Sequence, residues 1–124
     1  MIENYRRFEV GPDPFGRTWQ VEYKWQQTAI SIRHFDGVDV KFFLMRGEEI
    51  QEKVISMTHP DLLTLSAKVN RPLTDAWCMK LAALHLKRMI ETDVDMEKTL
   101  VLASLEDLER YHPMLEEHAQ PVRT

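Results

Sequence analysis

One change of period governs how this chain can fold. From Thr18 to about Met57 apolar residues recur every second position, and from Thr58 onward they recur at helical spacing. A strand sends alternate side chains to opposite faces, whereas a helix brings positions i, i+3 and i+4 onto one stripe. Strands followed by helices predict an α+β fold: an antiparallel meander of four strands, or five, with helices packed on one face.

The strand pattern is clearest in Thr18–Gln26, where Trp19, Val21, Tyr23 and Trp25 alternate with polar residues. This spacing predicts an aromatic core face formed by Trp19, Tyr23 and Trp25 with Phe42. Ile30, Ile32 and His34 read as a second strand, and Val38, Val40, Phe42 and Leu44 as a third. Matching apolar faces favours a two-residue turn at Gln26-Gln27. It also favours a three-residue loop, Phe35-Asp36-Gly37, pairing Ile32 with Val40 and holding Gly37 in a left-handed bulge. A fourth strand is expected at about Ile50–Met57, and the charges of Glu52 and Lys53 suit a sheet edge.

Thr58-His59-Pro60-Asp61 has capping-box spacing with proline in the first turn, so a helix should run from there to about Lys68. Asn70-Arg71-Pro72 ends it, and Thr74 should cap a long helix from Asp75 to about Glu91. That helix is apolar around most of its circumference, the mark of a buried helix lying across the sheet. Thr99–Ala103 reads as a fifth, buried strand or as a backward extension of the last helix. Ser104 with Asp107 marks that helix's start, and Pro113 should break or kink it.

A chain of 124 residues is the length of one domain. Residues 1–17, with the turn formers Gly11-Pro12-Asp13-Pro14-Phe15-Gly16, are expected to be an irregular arm in which Ile2–Val10 form either a short strand or a mobile segment, and residues 18–124 a single α+β domain. The net charge of −4 does not favour nucleic acid. One cysteine, Cys78, admits no internal disulfide and suits a reducing compartment. With no apolar leader at the N-terminus and no run long enough to span a bilayer, a soluble, cytoplasmic protein is expected, without a membrane partner.

The chemistry-bearing residues are few. Cys78 sits near the start of the long helix, where the macrodipole favours a thiolate. His85, seven residues on, lies about 10 Å away by helical rise, beyond the roughly 3 Å that a nucleophile and its base require. No His-x-x-x-His or Cys-x-x-Cys occurs among the five histidines and the cysteine, and Glu109-Arg110-Tyr111-His112 lacks the second copy that a di-iron site needs. Neither a metal nor another cofactor is expected. If the sheet and the long helix part to leave a pocket, Trp19, Tyr23, His34 and Cys78 are its expected lining.

No catalytic constellation, phosphate loop or nucleic-acid module is present, so the sequence determines no activity. The leading expectation is a small non-catalytic binding or assembly domain, a homodimer using its aromatic face. Its helical regions also carry opposite charge, five cations against Asp75 in residues 68–88 and five carboxylates against Arg110 in residues 104–118. The alternative is a small-molecule-binding protein or small enzyme with a pocket between sheet and long helix.

Overall fold

The computed structural model describes residues 2, 4–29 and 36–118. Four strands come first: β1 (Arg7–Val10), β2 (Trp19–Ala29), β3 (Gly37–Arg46) and β4 (Glu49–Thr58). Helices α1 (His59–Val69) and α2 (Asp75–Thr92) follow, then β5 (Leu100–Leu102) and α3 (Leu105–His118). The sheet order is β1-β2-β3-β4-β5, antiparallel except that β5 runs parallel to β4. A parallel neighbour needs a crossover connection. Here α1 and α2 supply it.

Both helix starts form where the sequence places them. The Thr58 hydroxyl accepts from the Asp61 N–H, and the Thr74 hydroxyl accepts from the Trp77 N–H at 3.1 Å. Asn70 and Asp93, both left-handed, end α1 and α2. At α3, Ser104 and Asp107 cap each other reciprocally. Pro113 does not end α3, which runs through it; the proline occupies an exposed position.

The core lies between the sheet and the helices. Trp19, Val21, Phe42, Leu44, Ile55 and Met57 face inward, against Leu81, Leu86 and Ile90 of α2 and Leu62 and Leu65 of α1. Helix α2 packs against β1, β3 and β4, while α3 packs against α1 and α2. Lys68 of α1 pairs with Glu109 of α3 at 2.7 Å, joining the oppositely charged helical regions within one chain.

Several sequence expectations are corrected. The chain does not turn at Gln26-Gln27: β2 continues to Ala29 and pairs directly with β3, Tyr23 opposite Phe42 and Gln26 opposite Val40. Val40 therefore has Gln26, not Ile32, as its partner. Gly37 is no left-handed bulge residue; it is paired on both sides, with Ala29 and Thr58. Its missing Cβ matters instead because one built there would collide with the Met57 carbonyl oxygen.

Within the expected irregular arm, Arg7–Val10 forms the edge strand β1, and Ile2, Tyr5, Phe8 and Val10 are buried in the common core. Strand β4 is interior rather than an edge, because β5 covers its outer side. Lys53 on β4 is buried and reaches along the core to donate to the carbonyls of Met96 and Lys98, each at 2.6 Å. Burial pushes its pKa down from the ordinary lysine value, with Glu97 opposing that shift.

The largest correction concerns Trp25. The β2–β3 register slips between Tyr23 and Trp25, so Lys24 is an extra residue and both Lys24 and Trp25 oppose Lys41. One inserted residue moves everything after it to the other face. Trp19 and Tyr23 face the helices; Trp25 is 38% exposed on the opposite side, beyond their reach.

Candidate functional site

Of the four residues expected to line a pocket, three lie among the described residues, and of these Trp19 and Cys78 are absent from the lining of the cavity that Tyr23 borders. Trp19 is fully buried, and its indole N–H donates to Asp13 Oδ2 at 3.1 Å. Asp13 also accepts from the backbone N–H groups of Phe15 and Arg17 and from the Arg17 guanidinium at 2.7 Å. Burial alone would raise the Asp13 pKa, but these donors outweigh it and hold the carboxyl well below the usual carboxylate range. The Arg17 and Arg46 guanidinium groups lie over the Trp19 ring at 5.4 and 5.3 Å. This cluster latches the 11–18 loop onto the sheet and leaves the indole no access to a ligand.

Cys78 is buried on α2, and its thiol is pushed up to about 11, by burial first and by the Asp75 carboxylate second. That outweighs the helix N-terminus and keeps sulfur protonated at neutral pH. His34 lies outside the described residues. Among the described residues of that set, Tyr23 borders open space.

That space is a cavity of about 340 Å³ between the far end of β2 and the start of α2, lined by Arg6, Tyr23, Gln26, Asp75, Ala76 and Met79. Tyr23 meets Phe42 edge-on, with ring centroids 6.2 Å apart, and carries the Arg6 guanidinium over its ring at 5.2 Å. Gln26 donates from Nε2 to the Asp75 carbonyl at 3.2 Å, tying β2 to α2. Gln26 faces the helices because the bulge at Lys24 turned it inward.

The buried histidine is structural in its contacts. His85 Nδ1 lies 2.7 Å from the Tyr111 hydroxyl, joining α2 to α3. Burial pushes the His85 pKa down, more strongly than Asp107 and Asp95 raise it, with Arg88 and Arg110 lowering it further. Burial thus favours the neutral imidazole, whose hydrogen-bond partner is the Tyr111 hydroxyl. Among the described residues no three metal-ligating side chains gather in one place.

The outer face of the sheet is the larger feature. No described helix packs on it. It carries Trp25, Phe43, Val54, Leu100 and Leu102, with Met45 opposite Ile50 at one end. Leu100, Leu102 and Ile50 are each more than 60% exposed. Charges of both signs are set among them. Lys24 lies over the Phe43 ring at 4.9 Å, and Lys41 lies over both Trp25 and Phe43. Glu22 pairs with Arg7 at 2.7 Å, and Glu52 pairs with Lys41.

The sequence held one sign of this face. After Trp25 the alternation fails, because Gln26, Gln27 and Thr28 are all polar. A strand continuing past that break requires a bulge or a change of exposed face.

Compared with protein-family models, curated proteins and solved structures, the chain matches none. No described helix is long and apolar enough to cross a membrane.

Proposed function

We propose that this chain is a non-catalytic assembly domain that forms a homodimer through the outer face of its sheet. The observation that carries this reading is the apolar band Trp25, Phe43, Val54, Leu100 and Leu102 on a face that no described helix covers. Trp25 on β2 and Leu100 and Leu102 on β5 are exposed at its two flanks, with half-buried Phe43 and Val54 between them, and exposed apolar side chains grouped on one face mark interaction sites.

The occupant is a second copy because the face is complementary to itself. Lys24 and Lys41 stand over the central rings and pair within the protomer with Glu22 and Glu52, ion pairs that a second copy can exchange across the interface. A twofold axis can then set the cations of one protomer against the carboxylates of the other, as an isologous interface demands. The size also suits: at about 3.3 Å per residue and 4.8 Å between strands, the five strands tile roughly 600 Å² before side-chain relief is added. Each partner in a standard interface contributes about 800 Å². Cytoplasmic residence accompanies this reading, since the lone buried thiol suits a reducing compartment.

Native mass spectrometry of the unmodified protein tests the reading. A species of twice the 14.7 kDa protomer mass is expected at micromolar concentration. A monomer at every concentration would overturn it.

A further inference from the structure

The cavity between β2 and α2 sits on the helix side of the sheet, away from the proposed dimer face, and its chemistry is independent of assembly. We infer that it is a binding site for a free, apolar α-amino acid held as its zwitterion.

Two opposite charges line it, Arg6 in the turn before β1 and Asp75 at the start of α2. Among the described residues neither side chain makes an ion pair; Arg6 meets the Tyr23 ring and Asp75 receives Gln26 only at its carbonyl. Both charges are therefore available to a ligand. The backbone around Arg6 is fixed, because its N–H donates to Asn4 Oδ1 at 2.9 Å and its carbonyl accepts from the Tyr23 N–H at 2.8 Å. A guanidinium held over an aromatic ring keeps its edge donors for a carboxylate, which it binds in bidentate fashion. An ammonium group finds acceptors in the Asp75 carboxylate and in Gln26 Oε1, since the Gln26 amide uses Nε2 to reach α2.

Between the polar groups, the Tyr23 ring, Ala76 and Met79 form an apolar wall. A cavity of about 340 Å³ lies at the small end of ligand sites. A charge of each sign joined by an apolar wall selects a molecule with a carboxylate, an ammonium and a modest aliphatic or aromatic side chain.

NMR titration of the full chain with L-methionine, L-methioninamide and N-acetyl-L-methionine tests this, reading the backbone amides of Gln26, Ala76 and Met79. Methionine at millimolar concentration should shift these amides, and both derivatives, each lacking one charge, should not. Arg6→Gln and Asp75→Asn should each weaken the response about tenfold or more while the rest of the spectrum reports an intact fold. An absence of shifts with methionine, leucine and phenylalanine would overturn the inference. Equal shifts from the derivatives, or undiminished binding by folded Arg6→Gln, would also overturn it. The dimer mass does not depend on any of these outcomes.

Discussion

His85 Nδ1 and the Tyr111 hydroxyl lie 2.7 Å apart in the buried seam between α2 and α3. The rings meet edge-on, with centroids 5.7 Å apart. Among the described residues His85 Nε2 has no hydrogen-bond partner, so Tyr111 supplies the imidazole's one polar contact. Tyr111→Phe removes that contact and leaves both ring nitrogens buried and unpaired. It should cost about 1–3 kcal/mol in urea unfolding. An unchanged midpoint would show that the bond contributes nothing net.

The same histidine makes stability depend on pH. Its folded pKa lies below the ordinary value of 6.5. On acidification the unfolded chain takes up a proton that the folded chain refuses, so the unfolded state gains. Stability from this group is complete above pH 6.5 and declines below it, by at most about 1.4 kcal/mol per pH unit, until the folded pKa is reached. Unfolding free energies between pH 7.5 and about 5.5 should show this slope in the native chain and a shallower one in His85→Gln. Equal slopes would assign the dependence to other groups.

Cys78 should be inert. A thiol that is buried and pushed up to about 11 holds little thiolate at neutral pH. Iodoacetamide should modify it slowly in the native protein and quickly in urea. Rapid native labelling would mean that the start of α2 opens readily.

Gly37 should resist substitution. Gly37→Ala drives a methyl group into the Met57 carbonyl oxygen, and the flanking strands pair on both sides and leave little room to yield. A loss of about 1–3 kcal/mol is expected by thermal or chemical unfolding. A neutral effect would show that β3 and β4 part without cost.

The fold class was legible because burial on one face imposes a period on the sequence. Alternating Val38, Val40, Phe42 and Leu44 marked β3, and Thr58, Thr74 and Ser104 marked three helix starts through local hydrogen bonds. What period alone does not encode is a break in itself. The bulge at Lys24 reverses the face of Trp25 and Gln26, so the aromatic stripe that alternation predicts as one surface is divided between two. Lys53 misled in a similar way: its charge suggested an edge, but its long side chain buries the stem and carries the ammonium to loop carbonyls. Arg6 gave no sign of a site, because its neighbours across the cavity lie 69 or more positions away on α2. Among the described residues, Tyr23 links the pocket read from the sequence with the cavity that the fold creates.

The central claim is that the uncovered face of the sheet joins two copies of the chain. Sedimentation equilibrium of the wild type beside a Leu100→Glu, Leu102→Glu double variant tests it most directly. Both leucines are exposed on the outer face, so their replacement leaves the core intact. The wild type should sediment as a dimer and the double variant as a folded monomer with an unchanged circular dichroism spectrum. A variant that remains dimeric, or a wild type that is monomeric, would contradict the account.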